Sequence, residues 1–271
     1  MFWLGLSLAL VSSVAVNWAY ALEHDAAAAL PPLSFREPRE SLRLLLGARD
    51  WLRAFALECG GWLVYVLSLR IAPLALVQAV SAAGIAVLAF VSCHGRVRLL
   101  STRQRSAVVI AFTGLLLLGL SLRGTHQADR APSAIDVFIW LASCAAAALL
   151  AIRGLKKTAV PAARYGLAAG LLFAAGDISA KVMNYGGAWF SVLVALIVCY
   201  ALGTSVLQGA FQRGGALTAA GIATLTTNAV PIAAGFVLFG EELPPGAGAG
   251  LQIAAFASIV VSATLLGRRP L

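Results

Sequence analysis

The sequence predicts an all-α integral membrane protein of nine transmembrane helices, N-terminus out and C-terminus in, built as a 4+1+4 inverted-topology repeat. Three observations predict it. Apolar residues make up 61% of the 271-residue chain and charged residues 11%, against about 45–50% and ~25% in a soluble domain. Apolar sequence recurs over nine stretches, 2–22, 55–69, 71–92, 106–122, 135–152, 162–183, 188–211, 216–239 and 247–266. Each is about long enough to cross a ~30 Å hydrocarbon core at ~1.5 Å per residue. Finally, sixteen of the twenty Lys and Arg residues fall on every second connector: Arg36, Arg39, Arg43, Arg49, Arg53; Arg96, Arg98, Arg103, Arg105; Arg153, Lys156, Lys157, Arg164; Arg213; Arg268 and Arg269. The other connectors hold only Arg70, Arg123 and Arg130, and Lys181 lies inside a span. Basic residues beside span ends stay cytoplasmic, so the arginine-rich connectors mark the inner side.

Taken in order, the first stretch carries no Lys or Arg. A secretory signal needs a basic n-region, so 2–22 reads as a retained span. The longest connector, 23–54, is cytoplasmic in this topology. Pro31-Pro32 stops a helix running on from the first span. Ser34 with Glu37 resembles a capping box opening a short helix on the inner leaflet, where Arg39 and Arg43 mix with Leu42, Leu44, Leu45 and Leu46. Spans two and three meet at a tight turn around Arg70, and spans seven and eight at a matching turn around Arg213. Span five is the odd linker that gives the four spans before it and the four after it opposite topology. The chain thus reads as one membrane domain over 1–271, with repeat one at 2–122, the linker at 135–152 and repeat two at 162–267. Inverted repeats recur in secondary transporters, whose substrate site lies near the midplane between the halves.

Ionisable groups inside hydrocarbon are expensive and need an explanation. The stretches contain Glu58, Asp177 and Lys181. Asp177 and Lys181 are four residues apart, on one helix face, and are expected to pair. The pair reads as substrate-facing, as a proton site, or as a structural lock of span six on its neighbours. Glu58 lies about one turn into span two and reads either as a substrate contact or as an interfacial carboxylate paired with an Arg. In span eight, Thr226-Thr227-Asn228 precede Pro231. Proline cannot donate to the carbonyl of Thr227, and a freed carbonyl in a bilayer must be satisfied by protein or cavity water. Thr227, Asn228 and Pro231 are therefore candidate site residues. Gln78 and Tyr65 are weaker lining candidates, with Asn17, Tyr200 and Gln208. Trp3, Trp18, Trp51 and Trp189 fall near span ends as interface anchors. Gly60-Gly61 and the small-residue pairs Gly166/Gly170 and Gly246/Gly250 allow close helix approach.

The net charge of +9 is accounted for by the inward bias of basic residues, so no nucleic-acid partner is expected. Cys59, Cys93, Cys144 and Cys199 form no CxxC and have no His at ligand spacing. They read as small apolar residues, and no metal-ligand set is assigned. GxSxG, Walker-type and HExxH motifs are absent, which argues against an enzyme. No cofactor is expected.

Several segments resemble the drug/metabolite transporter superfamily: IAPLALVQAVSAAGIAVLAF (71–90), the basic turn and following span to residue 122, GDISAKV (176–182) and GIATLTTNAVPIAAGFVLFGEEL (221–243). Nine spans with an outside N-terminus resemble its NIPA-type magnesium transporter branch and not the ten-span EamA majority. In that branch an acidic residue on span two precedes a Tyr, as Glu58 precedes Tyr65. The chain departs from it in the longer first connector and in Leu74 and Gln78. The expectation is a secondary transporter of a small organic solute, working by alternating access in the plasma membrane. A NIPA-like carrier of magnesium or another divalent cation and a non-transporting scaffold are the alternatives. Organic solute leads because a lysine beside Asp177 opposes a divalent cation there. The partners expected are the lipid bilayer and a small solute or cation, with a homodimer left open.

Overall fold

A computed structural model describes residues 2–34, 37–69, 71, 84–93, 95–96, 100–121, 131–155, 160–183, 185–239 and 246–267. Among these residues every regular element is a helix: α1 (Phe2–Ala28), α2 (Pro38–Gly47), α3 (Arg49–Leu69), α4 (Gly84–Ser92), α5 (Thr102–Ser121), α6 (Ala134–Gly154), α7 (Pro161–Met183), α8 (Leu193–Phe211), α9 (Ala216–Leu238) and α10 (Ala247–Gly267). A 3-10 turn, Gly187–Val192, leads into α8. Five segments among the described residues are long and apolar enough to cross a membrane by length and composition: Ala134–Gly154, Pro161–Met183, Gly187–Phe211, Ala216–Gly235 and Gly248–Leu266. Their outward faces are apolar: Phe138 is 73% exposed, Val194 69% and Ile253 69%. Such surface suits lipid and not water. The chain is a helical membrane protein.

The two ends of the chain repeat one packing pattern. α1 lies against α3 and α4, and α4 against α5; likewise α7 lies against α8 and α9, and α9 against α10. Across the halves α5 packs along α10, α4 touches α9, and α1 touches α8 and α9. α6 rests on α7. α7 is the most enclosed helix because its inner face is small. A Cβ on Gly170 would stand 2.6 Å from the Ala223 carbonyl oxygen and 2.7 Å from Thr226 Cβ, so only glycine permits this approach to α9. Gly166 meets Ala219 in the same way. Small residues at such seams replace the hydrophobic drive that lipid removes. Gly61 similarly admits Val16 of α1, whereas Gly60 and Gly250 meet nothing within 4 Å among the described residues.

Three expectations need correction. α1 does not stop at residue 22 but runs six residues further, to Ala28. The capping box does not form: Pro38, lacking an N–H and fixed in φ, takes the first helical position, and Glu37 becomes the N-cap without a side-chain cap. Ser34 instead contacts Ser41, whose hydroxyl donates to the Ser34 carbonyl at 3.0 Å. Trp51 is no interface anchor. It is 3% exposed, stacks on Phe55 at 4.9 Å and shares a small core with Leu33 and Leu45. Gln212, at the end of α8, holds this connector. Its Nε2 donates to the carbonyls of Ala27 (2.9 Å) and Pro31 (3.0 Å), and its Oε1 accepts from the Leu33 N–H (2.8 Å).

Candidate functional site

A cavity of about 160 Å³ lies between the halves. α1 contributes Ser12, Ser13, Val16, Asn17 and Tyr20; α3 contributes Glu58, Trp62 and Tyr65; α7 contributes Phe173 and Asp177; α8 contributes Tyr200; α9 contributes Thr224, Thr227 and Asn228. The α1 residues recur at three- and four-residue intervals, which places them on one helix face. Glu58, Trp62 and Tyr65 do the same on α3, as do Phe173 and Asp177 on α7.

The lining is acidic and rich in oxygen, with no Lys or Arg among its described residues. Asp177 accepts a hydrogen bond from the Tyr200 hydroxyl. Tyr200 also interacts with the Trp62 side chain, whose one polar group is a donor, and the two rings meet edge-on at 6.2 Å. Gly176 makes room for this arrangement, since a Cβ there would stand 2.8 Å from the Tyr200 ring. Asn17 donates from Nδ2 to the Ser13 carbonyl at 2.9 Å. Its Oδ1, like Glu58 Oε2, is buried with no hydrogen-bond donor among the described residues. On α9, Asn228 Nδ2 donates to the Thr224 carbonyl at 2.8 Å and Thr227 Oγ1 to the Gly170 carbonyl at 3.3 Å. These bonds stay within the α7–α9 scaffold and fix the side chains at the wall.

Of the residues singled out from sequence, Asp177, Glu58, Tyr65, Thr227, Asn228, Asn17 and Tyr200 meet at this cavity. Pro231 lies inside α9 but is not on the wall. Gln78 lies outside the described residues. Lys181 is also off the wall. Its ammonium stands 3.9 Å from the Phe239 ring centroid, while the Asp177 carboxyl faces Tyr200. The expected Asp177–Lys181 pair is not among the ion pairs of the described residues. Spacing put both on one face, but the long lysine stem carries its charge past the next turn toward an aromatic face.

Sequence reasoning missed Glu23. Hydropathy ended the first span at residue 22, yet Glu23 lies inside α1 and is fully buried. Its Oε2 accepts from Gln208 Nε2 at 2.5 Å, and its carboxyl lies within interaction range of Glu58, which also contacts Tyr20. The signal was the three-residue step from Tyr20 to Glu23 along the polar face of α1. Among the described residues no three His, Cys, Asp or Glu side chains converge to hold a metal ion. A cation in the cavity would therefore meet two carboxylates, amide and hydroxyl oxygens, and water.

Among curated proteins, one described as probable magnesium transporter NIPA9 of Arabidopsis thaliana is 23% identical over 265 residues, covering 89% of this chain and 75% of that protein. No family model matches the chain, and no solved structure matches it.

Proposed function

We propose that the protein is a membrane transporter that carries a hydrated divalent cation, Mg²⁺ in the first instance, through the cavity between its halves. The observation that carries this reading is the set of buried oxygen acceptors, Asn17 Oδ1 and Glu58 Oε2, that have no donor among the described residues, on a wall whose described residues include two carboxyls and no basic side chain. Acceptors without donors suit a cation. The sequence-based argument against a divalent ion rested on Lys181 standing beside Asp177, and the ammonium is over Phe239 instead. Mg²⁺ dehydrates reluctantly and is held through one or two carboxylates plus waters. A space of about 160 Å³ takes about five waters at ~30 Å³ each, which fits an ion that keeps part of its shell. The similarity to a protein described as a magnesium transporter supports the same substrate.

The inverted arrangement belongs to this reading. The matching packing of α1, α3, α4, α5 and of α7, α8, α9, α10 is what a nine-span, N-out transporter with two inverted halves requires, and alternating access then rocks one half on the other. A second reading, an organic cation, is favoured by the aromatic wall of Tyr20, Trp62, Tyr65, Phe173 and Tyr200, since aromatic faces attract quaternary ammonium ions.

Uptake of Mg²⁺ into proteoliposomes, read with an internal Mg²⁺ indicator and challenged with tetramethylammonium, tests both. Saturable Mg²⁺ uptake that tetramethylammonium leaves unchanged supports the first reading. Tetramethylammonium flux without Mg²⁺ flux supports the second. Neither flux above protein-free vesicles contradicts both.

A further inference from the structure

The starts of α7 and α9 lie side by side. Gly214, in the turn before α9, sits so close to the first turn of α7 that a Cβ would stand 2.7 Å from Ala162 Cβ. Arg164 from α7 and Arg213 from that turn stand over the same Tyr165 ring, their guanidinium carbons 5.8 Å and 4.6 Å from its centroid. Each is held by a backbone carbonyl: Arg164 Nη1 donates to Ile152 at 2.8 Å and Arg213 Nη1 to Gly209 at 2.6 Å. Capping the last turns of α6 and α8 in this way uses one N–H of each fork and leaves the rest. Arg164 Nε is buried with no acceptor among the described residues, and neither arginine is in an ion pair among them. Asp177, on the cavity wall, is the only carboxylate between residues 137 and 240. Both charges also stand at the wrong end of a helix. An N-terminus carries positive partial charge and favours an anion beside it, yet the first turns of α7 and α9 hold no acidic residue, and Gly215, the N-cap of α9, supplies no side-chain acceptor.

We propose that Arg164 and Arg213 form a phosphate-binding site between the starts of α7 and α9. Arginine forks hold phosphate oxygens through paired, charge-assisted hydrogen bonds, and a helix N-terminus adds N–H donors aimed at the same anion. The Tyr165 ring attracts both guanidiniums, so the forks are set before a ligand arrives. A bound phosphate supplies the acceptor that Arg164 Nε lacks and the negative charge that both helix starts favour. The site shares no residue with the cavity wall, and it stands whatever the cavity carries. The phosphate has two possible sources, the headgroup of a lipid and a phosphate free in solution. α7 and α9 are both long and apolar enough to cross a membrane, so their starts meet at the depth of the headgroups and a lipid is the nearer source.

Native mass spectrometry of the purified protein, offered phosphatidic acid and phosphatidylcholine in equal amounts, tests the lipid source. Thermal unfolding against inorganic phosphate, with chloride as the control, tests the free one. The wild type should retain phosphatidic acid over phosphatidylcholine. Arg213→Gln should lower that retention about tenfold, through loss of hydrogen bonds between charged groups, and Arg164→Gln/Arg213→Gln should abolish it. Arg213 is exposed, so the single variant decides the matter if the double variant does not fold. Arg153→Gln, at an exposed position next to Ile152 and outside the site, should change nothing. No lipid preference, with a rise of Tm in phosphate that Arg213→Gln loses, would keep the site and assign it to free phosphate. Neither response in the wild type, or undiminished retention in Arg213→Gln, would overturn it. An equal loss in Arg153→Gln and Arg213→Gln would overturn it too, because any basic surface would then serve.

Discussion

The two ends of the cavity hold the same chemical group in different settings. At one end, Asp177 faces Tyr200, whose hydroxyl donates to it and whose ring is set by Gly176 and Trp62. At the other, Glu58 faces Glu23, and each keeps an oxygen that no donor reaches among the described residues. A carboxyl that a hydroxyl already reaches has one acceptor position filled, while a buried carboxyl with an orphan oxygen has acceptor capacity left for a ligand. The difference lies in the neighbours supplied by α8, Tyr200 to Asp177 and Gln208 to Glu23, a little over two turns apart along that helix at ~3.6 residues per turn.

The largest effect is expected at the end with the orphan oxygens. Glu58→Gln removes a carboxylate from the wall and a partner from Glu23, and should lower Mg²⁺ uptake by about 10–100-fold, the worth of ~1.5–3 kcal/mol for hydrogen bonds to a charged group. Asp177→Asn removes charge at the satisfied end only, and should lower uptake about tenfold. Adding Lys181→Met to Asp177→Asn should restore nothing, because the ammonium lies over Phe239 and not against the carboxyl. Restoration in that double variant would break the comparison by returning Lys181 to the site.

Tyr200→Phe converts the satisfied end into an unsatisfied one. It should cost about 1–3 kcal/mol of stability, read as a lower Tm in detergent, and Mg²⁺ should recover more of that Tm than it adds to the wild type. Gln212→Ala lies outside both ends. Loss of its three bonds to Ala27, Pro31 and Leu33 should cost about 3 kcal/mol at ~1 kcal/mol per neutral bond, with Mg²⁺ binding affinity unchanged.

Where helices lie was plain in the sequence, because lipid demands long apolar runs and each run shows as one. Each of the nine apolar stretches is helical over its described residues apart from single positions at the ends, such as Ile71 and Phe239. Where a helix ends was less plain. Tertiary contacts, not hydropathy, carry α1 from residue 22 to Ala28, since burial beside Gln208 and Glu58 is what makes Glu23 tolerable there. The same limit governs the site. Expense in hydrocarbon marked Glu58 and Asp177 as residues needing an explanation, and both line the cavity. Their partners come from helices distant in sequence, Tyr200 and Tyr20; Tyr200 stood out as a lining candidate, but local spacing tied neither tyrosine to its carboxyl. The i, i+4 rule proposed Lys181 for Asp177, and it failed because a flexible side chain chooses among all neighbours, including an aromatic ring from beyond α9. Trp51 failed as an anchor for a related reason. Proximity to a span end does not tell whether a ring faces lipid or a local core.

The central claim is that the cavity holds the cation through Glu58 and Asp177. Thermal unfolding of the purified protein against a Mg²⁺ titration tests it most directly, because a ligand bound to the native state stabilises it by ~2.7 kcal/mol at 100 times its Kd. The account predicts a saturable rise of Tm in the wild type and none in the Glu58→Gln/Asp177→Asn double variant, with both folded at the start. An equal rise in the two proteins, or no rise in the wild type, would contradict it.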